Sequence, residues 1–448
     1  MPAPATCWRP TADDCIHIKV KIPQVLCITT CDMTEYSHFS NPRTLSRATE
    51  EVAKLPVECL GDWAPAIQEI ESWPEYSRQP LHVLDKSAKS LGLNSIYYQD
   101  ESQRFGKEMG SFKALGAPYT VACLLVAEVQ RVTGRQPTTQ QLRSGEFRHI
   151  TKRVTVCVAT DGSQGRGLAY GAKVFGCRCV DYIHGHVSAG RKEAMEALGA
   201  IVIRINGEYE ASVKRAKEDA RLNGWHFVSS TSWDDYREPI PRYVMGAYMV
   251  MVEEALSGIP DVGKISHVFM HGGVGSIAAA VFLGFYNAVT RSSNSKVPKF
   301  IVIEPSEADC LLQTAENGIP TPSAGSLHTI AAGLACREVS PAAWKILDWL
   351  ASDFISIKDD WIIDGMKQLA SGGGDVPIVC GESAAGAMGI LVHSARDQSI
   401  KERLGLDETS QVVIFGCEGA TDAVIYEELV GEAPSAVFHR QSSFLASK

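Results

Sequence analysis

The 448-residue sequence lacks the features that mark membrane-inserted, secreted and nucleic-acid-binding proteins. No apolar run reaches the roughly 20 residues that a transmembrane helix needs. The first residues, MPAPATCWRPTADDC, contain no basic segment followed by an apolar core, as a secretory signal would. The net charge of −9 leaves no basic excess for phosphate contacts along a nucleic acid. We therefore expect a cytoplasmic protein without a membrane or nucleic-acid partner.

The 13 cysteines also lack the spacing of a disulfide framework or a zinc site. Their number is odd, and Cys123, Cys157 and Cys380 stand inside apolar segments, which is typical of buried free thiols in a reducing compartment. The segments Cys177-Arg178-Cys179 and His184-Gly185-His186 lack the paired spacing of structural zinc ligands. A strand and its following loop explain both segments, so no metal site is expected.

What the sequence does contain is a regular alternation of apolar strands and amphipathic helices from about residue 80. The length indicates two or three domains, and the 45% hydrophobic and 21% charged content is ordinary for a globular enzyme. Strands separated by helices predict an α/β fold with parallel sheets and right-handed crossovers. The continuous apolar strands at 154–160 and 300–304 predict sheets that helices cover on both faces. In such sheets, ligands bind beyond the carboxyl ends of the strands.

The pattern predicts the following elements: helix 84–92, strand 96–98, a helix from 113 towards 132, strand 154–160, helix 165–175, strand 177–184, helix 189–198, strand 200–205, helix 210–222, strand 225–229, helix 242–256, strand 265–270, helix 277–289, strand 300–304, helix 383–394 and strand 411–415. A glycine-rich stretch at 371–375 predicts a loop.

Two distant segments point to one cofactor. Phe112-Lys113-Ala114-Leu115-Gly116 places a lysine in an apolar stretch that opens a helix, where partial desolvation would make its amine a better nucleophile towards an aldehyde. The turn from His271 to Ser276, HGGVGS, follows an apolar strand and precedes an apolar helix, a context that offers backbone N–H groups to an anion. Pyridoxal 5'-phosphate needs both an amine and a phosphate cradle.

Each segment alone has a plainer explanation. A Phe-Lys pair is most often a surface lysine beside a core phenylalanine. The glycine turn fits any nucleotide-binding strand–turn–helix, although it lacks the full P-loop and dinucleotide patterns. The two segments together, on an alternating α/β chain, favour the pyridoxal phosphate interpretation.

Further motifs carry a resemblance to a known family. In chain order they are Asp100-Glu101-Ser102-Gln103-Arg104-Phe105-Gly106, Phe112-Lys113-Ala114-Leu115-Gly116, Ala159-Thr160-Asp161-Gly162, Gly165-Arg166-Gly167, Gly333-Leu334-Ala335-Cys336, Gly381-Glu382-Ser383 and Glu418-Gly419-Ala420-Thr421-Asp422. From about residue 75 to its end, the chain resembles the fold-type II pyridoxal phosphate enzymes, and within them most closely the diaminopropionate ammonia-lyases.

The resemblance implies a role for each candidate residue. Lys113 would hold the cofactor as a Schiff base, and Asp161 would act as the base at the substrate α-carbon. The loop facing the substrate carboxylate and the cofactor's phenolic oxygen would be Thr160, Asp161, Gly162, Ser163 and Gln164. The remaining cofactor contacts would be Phe112, Ser163, Gly272, Gly273, Val274, Gly275 and Ser276, with Cys417 against the pyridine nitrogen, where the family usually has a hydroxyl residue. A thiol there would leave that nitrogen largely unprotonated.

This sequence departs from the family pattern in three places. Lys107 stands in a slightly longer spacing before Lys113 and is an alternative Schiff-base lysine. The family's T-D-G-N-H-G has Ser163 and Gln164 in place of asparagine and histidine. Ser230 occupies the position of an aspartate that, in the family, handles one substrate enantiomer and the β-amino group; Asp234 or Asp235 could supply that carboxylate instead.

The resulting expectation is an ammonia-lyase that acts by α,β-elimination on a small amino acid such as 2,3-diaminopropionate. A β-replacement synthase working through the same aminoacrylate, and a non-catalytic homologue, are the alternatives. The resemblance also implies a homodimer with two parallel-rich sheets. Residues 76–117 and 234–448 would form a large cofactor domain, 118–233 a smaller mobile domain, and 1–75 an extension packed on the body.

Overall fold

The structure, a computed structural model, describes residues 36–44, 54–55, 59–106, 109–232, 239–291 and 296–447. Its strands are β1 (Tyr36–Ser40), β2 (Leu81–Val83), β3 (Ser95–Asp100), β4 (Thr155–Ala159), β5 (Arg178–Ile183), β6 (Ile201–Arg204), β7 (His226–Phe227), β8 (His267–His271), β9 (Lys299–Pro305), β10 (Asp353–Ile357) and β11 (Gln411–Gly416).

The α-helices of the described residues are α1 (Ala64–Glu71), α2 (Asp85–Ser90), α3 (Lys113–Thr133), α4 (Thr139–Arg143), α5 (Arg148–Thr151), α6 (Ser163–Phe175), α7 (Ala189–Ala197), α8 (Tyr209–Asn223), α9 (Pro239–Ala247), α10 (Met249–Gly258), α11 (Ser276–Thr290), α12 (Cys310–Asn317), α13 (Pro341–Leu350), α14 (Asp359–Ser371), α15 (Gly386–Ser394), α16 (Gln398–Leu404), α17 (Ala423–Val430) and α18 (Pro434–Ala446).

The larger sheet has seven strands in the order β1-β10-β9-β8-β11-β3-β2. Its five central strands are parallel, and only the edge strands β1 and β2 pair antiparallel with their neighbours. Every residue of β8 and β10 is buried, as expected where helices cover both faces of a parallel sheet. The carboxyl ends of β8 and β11 therefore lie side by side and bring His271 and Cys417 together.

The smaller sheet has four parallel strands in the order β6-β5-β4-β7. It falls within residues 118–233, and the larger sheet falls outside them. A separate apolar cluster between this sheet and α8 contains Cys157, Tyr182 and Ala216. The sheet presents the carboxyl end of β4, and with it the loop that begins at Thr160, to the functional site.

Two glycines in α6 allow this helix to lie directly against α3. A Cβ on Gly167 would come 2.7 Å from the carbonyl oxygen of Lys113, and one on Gly171 would come 2.6 Å from the Cα of Pro118. Both distances are shorter than a carbon atom tolerates. The close contact fixes the start of α3, which carries Lys113, relative to the start of α6, which carries the loop after β4.

The predicted alternation of strands and helices is confirmed from residue 84 to residue 305, with bounds that shift by a few residues. The helix predicted at 242–256 is two helices, α9 and α10, with Tyr248 between them. Ser371 ends α14, and Gly372, Gly373 and Gly374 all have positive φ, so the predicted loop is confirmed. Strands β1, β2 and β10 were not predicted.

Within the described residues, no helix combines the length and apolar character that crossing a bilayer requires.

Candidate active site

Lys113 is the first residue of α3 and is half-buried. The backbone N–H of Phe112 donates to the carbonyl oxygen of Cys417 at 2.9 Å, so the end of β11 holds the start of the helix. Burial lowers the pKa of the Lys113 amine below its usual range, although thiol and carboxylate neighbours, including Glu418 and Asp161, oppose the shift. A lysine with a lowered pKa is a nucleophilic amine.

The glycine turn joins the carboxyl end of β8 to α11. Gly273 and Gly275 have φ of +63° and +94°, a region that side chains other than glycine rarely adopt. Gly275 precedes the first residue of α11, and among the described residues no side chain caps this helix end. The backbone N–H groups of the first turn are therefore directed at whatever lies beyond β8, as in an anion site at a helix N-terminus.

The loop after β4 is closed by Thr160. Its hydroxyl oxygen accepts hydrogen bonds from the backbone N–H groups of Gly162 and Gly165, both at 3.0 Å. Gly162 has a φ of +144°, so the chain reverses there and α6 begins at Ser163. Asp161 lies at the tip of this loop and is partly exposed. The loop thus offers a carboxylate and a helix N-terminus to the same space.

His271 and Cys417 form a buried pair at the ends of β8 and β11. The backbone N–H of Ala387 donates to His271 Nε2 at 3.1 Å, so the ring proton is on Nδ1, which lies 3.8 Å from Cys417 Sγ. Burial lowers the pKa of His271 to about 3 and raises the pKa of the Cys417 thiol. Both groups are therefore neutral, and neither would protonate a ring nitrogen placed against them.

Glu418 and Arg191 lie on the polar side of the cavity, and Glu382, which pairs with Arg191, is not part of the wall. The Ser163 hydroxyl donates to Glu418 Oε2 at 3.2 Å, and Arg191 Nη2 donates to Glu382 Oε1 at 2.7 Å. Burial, together with the negative charge of Glu418, raises the pKa of Glu382, while Arg191 opposes this. Glu418 is therefore the carboxylate that this side of the cavity offers to a cationic substrate group.

One cavity collects nearly all the residues predicted from the sequence. Its wall contains Phe112, Lys113, Thr160, Asp161, Gly162, Ser163, Gln164, Ser230, Gly272, Gly273, Val274, Ser276 and Cys417. Gly275 is not part of the cavity wall. It lies on the other side of the turn, where an added Cβ would meet Leu347. The Ser276 hydroxyl donates to the carbonyl oxygen of Ser230 at 2.6 Å, so it ties two segments of the wall together. Lys107, Asp234 and Asp235 lie outside the described residues.

The cavity wall also contains residues that were not predicted. Arg191, Tyr209 and Tyr248 come from α7, α8 and the junction of α9 and α10, and Glu418 and Cys336 from motifs quoted only for the resemblance. An arginine or a tyrosine on an amphipathic helix gives no local signal, because most such residues serve packing or solvation. Glu418 lies two residues beyond the end of β11, and this position is the one signal in the sequence that could identify it.

The residues present fit pyridoxal phosphate. The Tyr248 hydroxyl and both amide atoms of Gln164 are buried without a hydrogen-bond partner among the described residues, and both side chains line the cavity. Buried polar groups seldom lack partners, so this pattern indicates a polar ligand. A Cβ on Gly273 would project to within 4 Å of Gly333, Leu334 and Cys336 and would narrow the cradle. Lys113, the glycine turn and the neutral Cys417 would supply the contacts to the cofactor's aldehyde, phosphate and ring nitrogen.

Comparisons with known proteins agree with this geometry. Residues 73–417 match the family of pyridoxal-phosphate dependent enzymes. The chain belongs to this family. It is 34% identical over 367 residues to diaminopropionate ammonia-lyase from Escherichia coli K12, covering 81% of this chain and 89% of that protein.

Two crystal structures of the Escherichia coli ammonia-lyase also resemble this pyridoxal-phosphate dependent enzyme. The holo form superposes with a TM-score of 0.76 at 29% identity, and a complex with an aminoacrylate–PLP azomethine reaction intermediate with a TM-score of 0.73 at 30% identity. Each covers 88% of this chain and 96% of the other chain. The fold is therefore that of a fold-type II enzyme, and pyridoxal phosphate is its cofactor.

Proposed function

We propose that this enzyme is an ammonia-lyase that converts 2,3-diaminopropionate to pyruvate. The observation that carries the proposal is one cavity in which a half-buried lysine with a lowered pKa, a carboxylate at a loop tip and a glycine cradle converge. The similarity to diaminopropionate ammonia-lyase over most of the chain supports the choice of reaction and substrate. The carboxylate of Glu418 in the cavity wall suits a substrate that carries a second ammonium group.

The residues divide the reaction between them. Lys113 holds the cofactor, which stabilises negative charge at the substrate α-carbon when bound. The start of α6, behind Gly162 and Ser163, faces the substrate carboxylate with its N–H groups. Asp161 or the Lys113 amine accepts the α-proton. The electron pair of that C–H bond forms the Cα–Cβ double bond, and the β-ammonium leaves as ammonia with the electrons of the Cβ–N bond.

The reaction consumes one water molecule per turnover. The enamine left after elimination takes up water and releases a second ammonia, so that one diaminopropionate yields pyruvate and two ammonia. Because the leaving group is already protonated, the site needs no acid for it. A β-hydroxyl leaving group would need one, and a protonated Asp161 would then supply it.

A β-replacement synthase is the second candidate. The unpartnered amide of Gln164 and the hydroxyls of Ser163 and Ser230 give the cavity polar groups that would suit a second, nucleophilic substrate. Such an enzyme would retain the substrate after the leaving group has departed, until a nucleophile arrives. It would therefore release little 2-oxo acid when no nucleophile is added.

The test is pyruvate release from L- and D-2,3-diaminopropionate by the purified, cofactor-loaded protein. The proposal predicts rapid pyruvate formation from at least one isomer without an added nucleophile. Lys113→Ala is expected to abolish it and to prevent borohydride from fixing the cofactor to the chain, whereas the matched control Lys107→Ala is expected to retain both. No pyruvate from either isomer contradicts the substrate, and loss of fixation in Lys107→Ala alone contradicts the assignment of Lys113.

We also propose a cytoplasmic homodimer in which residues 118–233 move as a small domain over the substrate. The resemblance to fold-type II enzymes supports the dimer and the moving domain. Nine cysteines of the described residues are free thiols, which supports a reducing compartment. Sedimentation equilibrium of the holoenzyme, and small-angle scattering with and without substrate, would test the two structural proposals.

A further inference from the structure

An imidazole from a different strand reaches Asp161. His184 directly follows β5, and its Nε2 lies 2.7 Å from Asp161 Oδ1. The backbone N–H of His186 points at His184 Nδ1 at 3.3 Å, so Nδ1 accepts and the ring proton is on Nε2. The His184 side chain is only 14% exposed. The ring therefore donates a hydrogen bond from Nε2 to the carboxylate.

The loop that carries His184 is fixed at both ends. The backbone N–H of Thr160 donates to the carbonyl oxygen of Tyr182 at 2.9 Å, which locks the end of β4 to β5. Arg204 Nη1 donates to the carbonyl oxygens of His184, Gly185 and Val187 at 2.8 to 3.2 Å. The imidazole is thus held in place before any ligand binds, as a positioning group must be.

The hydrogen bond makes the two oxygens of Asp161 unequal. Oδ1 is occupied by His184, so Oδ2 is the oxygen left for a substrate. Asp161 also lies where two cavities meet: the cofactor cavity, and a neighbouring one of about 440 Å³ whose wall includes His184, Arg191, Glu208 and His328. Without His184 the carboxylate would be free to rotate out of the first cavity into the second.

We propose that His184 is the positioning residue of Asp161, holding Oδ1 so that Oδ2 faces the substrate α-carbon. Gln164 stands where the resembled motif has a histidine, and its amide makes no hydrogen bond to a described residue. In this chain the end of β5 supplies an imidazole to the same loop. The inference rests on the proposed function and takes Asp161, of its two candidate bases, as the group that accepts the α-proton.

The test compares His184→Ala with His184→Gln in the holoenzyme. The alanine variant is expected to lower kcat on the order of 10²-fold, as misplacement of a reacting group does, with KM changed little. It is also expected to raise the primary isotope effect for α-deuterated substrate, because proton abstraction becomes slower. Glutamine can place an N–H near the same oxygen and is expected to recover most of the lost kcat.

His186→Ala is the matched control. It lies in the same loop, but its exposed ring faces Glu208 and not Asp161, and the substitution keeps the backbone N–H that meets His184. It is expected to behave like the wild type. An equal loss in His186→Ala, or a glutamine variant no better than alanine with an unchanged isotope effect, would show that His184 only holds the loop together.

A second measurement separates this inference from the substrate assignment. In protein labelled with ¹⁵N-histidine, the signal missing from the His184→Gln spectrum is expected to show the Nε2–H tautomer. An Nδ1–H tautomer, which leaves Nε2 without a proton to donate, overturns the inference. If neither isomer of diaminopropionate yields pyruvate, the proposed function fails. The three variants are then compared by the rate at which the α-proton of serine exchanges in D₂O.

Discussion

Ser230 lies in the wall of the cofactor cavity and is nearly fully buried, at 9% exposure. The resemblance implies an aspartate at this position, with a role towards one enantiomer and the β-amino group. A hydroxyl cannot supply the charge that attracts an ammonium group. The identity of this one side chain is therefore expected to limit which isomer of the substrate reacts.

Ser230→Asp is expected to raise kcat/KM about tenfold for the isomer that the wild type handles less well, which corresponds to about 1.4 kcal/mol of added attraction. The kinetic constants for both isomers check this. Ser230→Asn has the same shape as the aspartate variant without its charge, so it is expected to leave the preference unchanged. Equal gains in both variants would mean that side-chain size, and not charge, limits the reaction.

The residues of the site that could be predicted were those in short, ordered motifs. Among the wall residues, the sequence predicted Lys113, Asp161 and most of the glycine turn. Each of them follows a strand or opens a helix, and such positions can be recognised from a sequence. His184 could not be assigned a partner in this way. Its contact with Asp161 depends on the register of β4 against β5, which pairs Ala159 with Tyr182, and a sequence does not fix such a register.

At the scale of elements, the contact between α3 and α6 fixes the position of the segment at Lys113 relative to the loop at Asp161. Gly171 makes this contact possible, since its Cα lies against Pro118. An added methyl group must push the two helices apart or strain both. The same contact holds Lys113 close to the loop that carries Asp161.

Gly171→Ala is expected to lower the free energy of unfolding by about 1–3 kcal/mol, the usual effect of overpacking, and to weaken retention of the cofactor. Chemical denaturation and cofactor absorbance after dialysis measure the two effects. Gly190→Ala in α7 is the control, because its nearest neighbour is 3.9 Å from the new methyl group. A destabilised Gly190→Ala with an unaffected Gly171→Ala would contradict the argument.

The alternation of strands and helices was predictable, whereas the edges of the larger sheet were not. Strands β4, β8 and β9 are continuous apolar segments, which periodicity identifies. β1 and β2 are short, partly exposed and set among polar residues, so their sequences resemble loops. β10 is wholly buried, but it and α13 come after a stretch, 318–340, that mostly lacks regular structure. That stretch interrupts the alternation of strands and helices from which the other strands were predicted.

For the whole molecule, one buried carboxyl links stability to pH. Asp181 on β5 is fully buried, its Oδ2 has no partner among the described residues, and burial raises its pKa to about 8. Between the ordinary pKa of an aspartate, near 4, and pH 8, the folded protein keeps this proton and the unfolded chain loses it. The stability contribution of the neutral carboxyl is therefore complete below pH 4 and is lost as the pH rises towards 8.

Asp181→Asn copies the neutral form at every pH. Its melting temperature relative to the wild type is expected to rise steadily from pH 5 to pH 8, and the difference at pH 8 is expected to reach several degrees. Differential scanning calorimetry across this range measures it. Glu208→Gln, an exposed carboxylate beside His186, is the control and is expected to show no such trend. A melting-temperature difference between Asp181→Asn and the wild type that decreases as the pH rises would mean that Asp181 is ionised in the folded protein.

The strand order of the larger sheet has a consequence for synthesis on the ribosome. β11 lies between β3 and β8, although both precede it by a long stretch of chain. Until β11 has left the exit tunnel, the nascent sheet is split into two parts, and Phe112 lacks the Cys417 carbonyl that anchors the start of α3. A ribosome-stalled chain that ends before residue 411 should therefore bind no cofactor, so that loading follows release of the finished polypeptide.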